Sequence, residues 1–123
     1  MAQRAGPKTV MIVDDDRTMN SLLKTLLELD GYNVVVAAHG DEVLTTALAE
    51  KPDAVLMDVH IADADGMVLL REMRLHPDLR ALPVIMTSGM DLEYECRNSG
   101  ASAFILKPYP PEQLTNTLKK VIS

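Results

Sequence analysis

Five short apolar runs alternate along this chain with segments whose apolar residues recur at helical spacing, and that alternation is what most restricts its fold. The runs are Thr9-Val10-Met11-Ile12-Val13, Asn33-Val34-Val35-Val36-Ala37, Ala54-Val55-Leu56-Met57, Val84-Ile85-Met86-Thr87 and Ala103-Phe104-Ile105-Leu106. They are near-continuously apolar, as strands buried on both faces are. Strands separated by helices must run parallel with right-handed crossovers, which puts helices on both faces of the sheet. The expectation is an α/β fold with a doubly wound, five-stranded parallel sheet. At 123 residues and 47% apolar content, the chain suits one domain with one substantial core.

The helical segments punctuate themselves. Met19, Leu22, Leu23, Leu26 and Leu27 form a stripe that ends at Gly31. A second helix opens at His39-Gly40, places Val43, Leu44, Ala47 and Leu48 on one face, and closes at Lys51-Pro52-Asp53. A third is expected over residues 65–75, with Leu69, Leu70 and Met73 inward and Pro77 as its stop. A fourth, over 91–98, is short and weakly patterned and ends at Gly100. Pro111 suits the first position of a last helix, with Leu114, Leu118, Val121 and Ile122 inward. The one long irregular stretch is expected at 62–65. Residues 1–8 read as a poorly ordered N-terminal extension and 9–123 as the domain.

Chemistry gathers where the strands end. The first run meets Asp14-Asp15-Asp16, the third meets Asp58, the fourth ends in Ser88-Gly89, and the fifth in Lys107-Pro108. In open α/β sheets ligands bind at this C-terminal edge. A terminal aspartate often does no more than cap the next helix, and a lone lysine is usually solvated. Two acidic strand ends with a lysine on the same edge fit a site better. Clustered carboxylates resist joint ionisation unless a cation neutralises them, and oxygen ligands favour a hard ion such as Mg²⁺.

Net charge is −6 and the sequence pI about 4.9, which disfavours a nucleic-acid surface or an acidic partner. Cys96 is the only cysteine, so the chain holds no internal disulfide, and the residue reads as a small buried hydrophobe. The N-terminus lacks a signal-like apolar core and no run approaches the ~20 residues that span a bilayer. A cytoplasmic location without membrane contact is expected. His39, His60 and His76 are too scattered for a transition-metal site, and the eight methionines read as core filler.

Asp14-Asp15, Asp58, Ser88 and Lys107-Pro108, each following its strand, together resemble the receiver domain of two-component response regulators, in particular single-domain chemotaxis-type receivers. The resemblance covers nearly the whole chain and implies a flavodoxin-like sheet of order 2-1-3-4-5. It implies that Asp58 is the phosphoacceptor, taking the phosphoryl group from the phosphohistidine of a sensor histidine kinase or a phosphotransfer protein. Mg²⁺ would be bound by Asp15, Asp58 and the His60 backbone carbonyl, with Asp14 acting through water. Lys107 and Ser88 would hold the phosphoryl oxygens, Ser88 being the match and Thr87 the fallback, and Phe104 would swing inward as Ser88 moves. A static core aromatic is the equal alternative for Phe104. Output would pass by contact to a protein target that the sequence does not name. Such a domain signals and is not an enzyme acting on an external substrate.

The chain departs from the family pattern in two places. Ala62 stands where the family usually has proline, and the stretch from Ser88 to Lys107 is shorter by about one helical turn. Two residues resemble the family's tuners of phosphoryl lifetime, two positions beyond the acceptor and the hydroxyl: His60 and Met90. A thioether there would shield the group from water, whereas His60 could orient a water or exclude one. Two rival functions compete: a pseudo-receiver that binds without phosphorylation, and a haloacid-dehalogenase-type phosphotransferase using Asp14 in Asp14-x-Asp16-x-Thr18. The second lacks the acidic residues expected after its lysine, since only Glu112 follows Lys107.

Overall fold

The computed structural model describes residues 6–122. Most of the expected N-terminal extension, residues 1–5, lies outside the described residues. The chain runs β1 (Thr9–Val13), α1 (Arg17–Leu29), β2 (Asn33–Ala37), α2 (Val43–Glu50), β3 (Ala54–Asp58), β4 (His60–Ile61), β5 (Ala64–Asp65), α3 (Gly66–Leu75), β6 (Val84–Ser88), α4 (Glu93–Asn98), β7 (Ala103–Leu106) and α5 (Pro111–Ile122). Five strands pair in parallel in the order β2-β1-β3-β6-β7. With the small β4–β5 ribbon set aside, this is the expected order 2-1-3-4-5.

Alternation of side chains along each strand divides the core into two layers. Val13, Val55, Met57 and Met86 face α2, α3 and α4, where Val43, Ala47, Leu70, Met73 and Cys96 meet them. Val10, Ile12, Leu56, Ile85 and Ile105 face α1 and α5, against Leu23, Leu27, Leu114 and Leu118. Every residue of the central strands β3 and β6 is buried, while the edge strand β2 is half open. The expected stripe of α1 is narrower than its leucines suggest. Leu23 and Leu27 are buried together with Asn20, but Leu22 is 53% exposed.

Capping follows the acidic residues between strand and helix. The Asp16 carboxylate accepts from the Met19 amide at 3.1 Å and starts α1, and Asp65 does the same for Met67 at 2.9 Å and starts α3. The second helix begins with a 3₁₀ turn, Gly40–Glu42, before α2 proper. Gly31 at φ 95° and Gly100 at φ 110° occupy the left-handed region just beyond α1 and α4, as expected for residues that end helices.

Residues 62–65 are not the irregular stretch that the sequence suggested. Ile61 pairs with Ala64 and His60 with Asp65 in the β4–β5 ribbon. Asp63 fastens it further by accepting from the Gly40 amide at 3.0 Å. The longest irregular segment is instead 76–83, held by Arg74, which donates to the carbonyls of Leu79 at 3.1 Å and Gly100 at 2.9 Å. Burial lowers the pKa of this guanidinium. Cys96 is fully buried and free, and burial pushes its thiol up, in keeping with a small hydrophobe.

Gly66 lets the ribbon close onto the sheet. Its amide donates to the Val59 carbonyl at 2.7 Å, and a Cβ at this position would overlap the backbone of Asp58 and Val59. In an open helix, Gly→Ala stabilises by about 1 kcal/mol. Here the obstacle is backbone, which cannot step aside, so Gly66→Ala should instead destabilise by about 1–3 kcal/mol. A lower urea midpoint with an unchanged slope is the expected readout, and a raised midpoint would refute the close approach.

Candidate functional site

The registers bring the site together. β1 and β3 pair with Val13 opposite Met57, so the residues that follow, Asp14 and Asp58, stand side by side at the sheet edge. β6 and β7 pair with Ser88 opposite Leu106, and Lys107 comes one residue later. Its amide donates to the Ser88 carbonyl at 2.8 Å, and the Lys107-Pro108 peptide is cis.

Lys107 joins the two strand ends. Its ammonium lies 2.6 Å from Asp58 Oδ2 and 3.5 Å from Asp14 Oδ2. Both carboxylates are buried, Asp14 at 5% and Asp58 at 9% exposure. Their remaining oxygens are held from the backbone: Asp58 Oδ1 accepts from the His60 amide at 3.2 Å, and Asp14 Oδ1 from the Asp16 amide at 3.0 Å. Asn20 fixes the Asp14 main chain by donating to its carbonyl at 2.7 Å. The sequence signal for Asn20 was an amide on the inward face of α1, where an apolar residue would be expected.

Asp15 stands apart from the pair. It is exposed, and its Oδ2 accepts from the Ala62 amide at 3.0 Å across the cleft. Among the described residues, no three acidic, histidine or cysteine side chains are gathered closely enough to form a ready metal cage. The expected convergence of carboxylates is thus met by Lys107 between Asp58 and Asp14, with Asp15 turned outward. The donor set still suits a hard cation. Asp14, Asp15 and Asp58 offer only oxygen at one strand edge, and Mg²⁺ binds through one or two carboxylates while keeping waters.

Of the other predicted residues, His60 is exposed at the start of β4. Ser88 is 1% exposed and its hydroxyl accepts from the Met90 amide at 3.1 Å, closing a turn on itself. Met90 is 59% exposed at the rim. Phe104 packs partly buried against the layer beneath α2, α3 and α4, on the opposite sheet face from Ile105. The structure therefore unites Asp14, Asp58 and Lys107 directly, and holds Asp15, Ser88 and Met90 around them.

Electrostatics follows burial and pairing. Burial raises the Asp14 pKa, and the Asp16 amide and Lys107 offset this only in part. Burial alone would lower the Lys107 pKa, but the hydrogen bond and charge of Asp58, then Asp14, outweigh it and raise the value. Beside the site an apolar groove of about 470 Å³ runs between α1 and the segment after β7, lined by Met19, Leu22, Leu26, Lys107, Tyr109 and Pro111 among others.

The family model described as response regulator receiver domain matches residues 10–119. The chain belongs to that family. Among its relatives, the polar-differentiation response regulator DivK of Brucella anthropi is 30% identical over 119 residues, covering 94% of this receiver and 97% of DivK. The structure of the chemotaxis response regulator CheY4 of Vibrio cholerae superimposes with a TM-score of 0.87 at 27% identity, covering 94% of this chain and 98% of that one. The receiver domain of the sensor histidine kinase PA1611 from Pseudomonas aeruginosa, with magnesium in its active-site cleft, gives 0.86 at 25% identity, covering 95% and 98%. This receiver spans about half the length of several other curated relatives, 48% in three of them. Membership sets aside the haloacid-dehalogenase-type reading. No helix among the described residues is long and apolar enough to cross a membrane.

The raised Asp14 pKa makes a prediction about stability without Mg²⁺. A carboxyl whose folded-state pKa lies above its ordinary 3.8 favours the fold below that value, and the benefit is lost as pH rises through the raised pKa. Ionised Asp14 is therefore a burden on the receiver at neutral pH. Asp14→Asn should raise the melting temperature at pH 7 by about 3–6 °C. The gain should vanish on acidification, and thermal melts from pH 3 to pH 7 check both parts.

Proposed function

We propose that Asp58 of this receiver accepts a phosphoryl group from the phosphohistidine of a sensor histidine kinase or phosphotransfer protein, and that the phosphorylated domain signals by protein contact. The observation that carries the reading is the 2.6 Å pairing of Lys107 with a carboxylate that ends the central strand of the sheet. A buried carboxylate held by two donors presents its oxygens in a fixed direction, which favours in-line attack. The carboxylate oxygen attacks phosphorus and a P–O bond forms as the P–N bond breaks. The imidazole leaves with that electron pair and takes up a proton.

Asp58 needs charge around it to react with an anion. Lys107 is placed to follow the charge from the carboxylate to the new phosphoryl oxygens. Asp15, Asp58 and the His60 backbone carbonyl would hold Mg²⁺, with Asp14 contributing through water. When bound, that ion neutralises charge on the transferring group. Ser88 would exchange the Met90 amide for a phosphoryl oxygen, and Phe104 would follow inward. The release of Met90 alters a rim where Met90, Tyr94 and Leu106 expose apolar surface. That rim is the output face of this reading.

The groove beside Lys107 fits the phosphodonor. It is apolar, it includes Leu22 at 53% exposure, and it is continuous with the site through Lys107 and Gly89. A helix carrying the phosphohistidine could lie there with its imidazole facing Asp58. With a kinase as the donor, the setting is the cytoplasm. The domain turns over no substrate other than its own phosphoryl group.

Two measurements test this reading. Intact mass after incubation with Mg²⁺ and a small phosphodonor should rise by one phosphoryl group, and Asp58→Asn should abolish the gain while leaving the melting curve cooperative. Labelling of the asparagine variant at the parent rate would remove Asp58 as acceptor. The lifetime of the phosphorylated state should be long, because exposed Met90 offers neither acid nor base at the mouth of the site. Met90→Glu should speed loss of the acyl phosphate by about tenfold, short of the ~10² that a well-placed base supplies. Unchanged decay would show that Met90 is not the brake.

A further inference from the structure

Thr87, one residue before Ser88, holds a hydroxyl that the site described so far does not use. It is 2% exposed, and its Oγ1 makes no hydrogen bond within the protein. A buried hydroxyl without a partner is costly, and valine would fill the same strand position without that cost. The register places Thr87 directly opposite Asp58 on the neighbouring strand, so both side chains share a sheet face. Lys107, two residues beyond Ile105 on β7, belongs to that face as well. The Thr87 main chain already braces the site, since its carbonyl accepts from the Val59 amide at 2.9 Å.

Beneath the carboxylates lies a small cavity of about 10 Å³, lined by Asp14, Asp58, Thr87, Lys107 and Tyr109 together with apolar core residues. That volume stands at the lower limit for one water, and a buried water needs two to four polar partners. Asp14, Asp58, Thr87 and Lys107 supply them. Lys107 has three N–H donors, of which Asp58 and Asp14 engage two. We infer that this cavity is a single-water site and that Thr87, acting through that water, is a positioning residue for the Asp58–Lys107 pair. The water takes a hydrogen bond from Lys107 or the Thr87 hydroxyl and donates to a carboxylate, so the pair is held from the core side as well as from the cleft. Ser88 stands in register with Leu106 and lies on the other face, so it cannot take this part.

The effect on phosphoryl transfer rests on the function proposed above, whereas the water and its effect on stability do not. A high-resolution crystal structure of the parent should show one ordered water within about 2.7–3.2 Å of Thr87 Oγ1 and of a carboxylate oxygen of Asp14 or Asp58. Thr87→Val should lose that water and lower the melting temperature by about 2–5 °C. With Mg²⁺ saturating, the same variant should take up phosphoryl groups from a small phosphodonor about tenfold more slowly. Thr87→Ser, which keeps the hydroxyl, should restore water and rate. A valine variant that melts at or above the parent overturns the inference, because removing an unpartnered hydroxyl costs nothing, and so does a parent cavity without ordered water. If the parent takes up no phosphoryl group at all, the functional reading falls. The crystal structure and melting temperatures then decide the role of Thr87.

Discussion

Two carboxylates set side by side at the end of buried strands must be balanced by positive charge, and in this receiver Lys107 does it. Asp14 and Asp58 come from neighbouring strands and are each almost wholly buried, so their mutual repulsion is weakly screened. The lysine arrives from β7, two strands away from β3, and reaches both. Removing the lysine would leave two buried carboxylates without compensation. The sheet order and the registers of β3, β6 and β7 all serve to place this one ammonium.

The same balance gives the site its latitude. Lys107 is paired with Asp58 and also near Asp14, so a change of charge on one carboxylate redistributes its hydrogen bonds instead of stranding it. Ser88, whose carbonyl anchors Lys107 and whose hydroxyl anchors Met90, links that redistribution to the rim. On the proposed reading, phosphorylation of Asp58 would be felt along this short path. On that reading the backbone between Ser88 and Met90 would have two arrangements, the Ser88–Met90 hydrogen bond of this structure and one in which Ser88 turns to the phosphoryl group.

Tertiary contacts fasten the segments that follow the strands. The ribbon after Asp58 is pinned by Asp63 to Gly40 and seated by Gly66 against the strand end, while Arg74 ties α3 to two loops. The short α4 sits between Met90 and Gly100 with Cys96 as its single buried side chain. A helix anchored by one side chain has little to hold it in register; it carries the exposed Tyr94 and follows closely after the exposed Met90.

Much of this was legible in the residues. Apolar runs interrupted by helical spacing required a parallel sheet covered on both faces, because strands joined through helices cannot pair otherwise. Asp14, Asp58 and Lys107 at strand ends fixed the edge on which charge would collect. The strand order came from the resemblance to receivers and is borne out, but periodicity alone could not choose it, since many orders bury the same faces. Tertiary structure alone decided the rest. The hydrogen bond that turns Asp15 to the Ala62 amide spans 47 residues, and pairing of Ile61 with Ala64 replaced an expected loop by a ribbon. Thr87 and Ser88 are adjacent hydroxyls that strand alternation puts on opposite faces, and only the register with Asp58 and Leu106 decides which of them shares the face of Asp58. Local pattern specifies which face a side chain takes relative to its neighbours in sequence; which atoms wait across the strand is set by contacts that no local pattern contains.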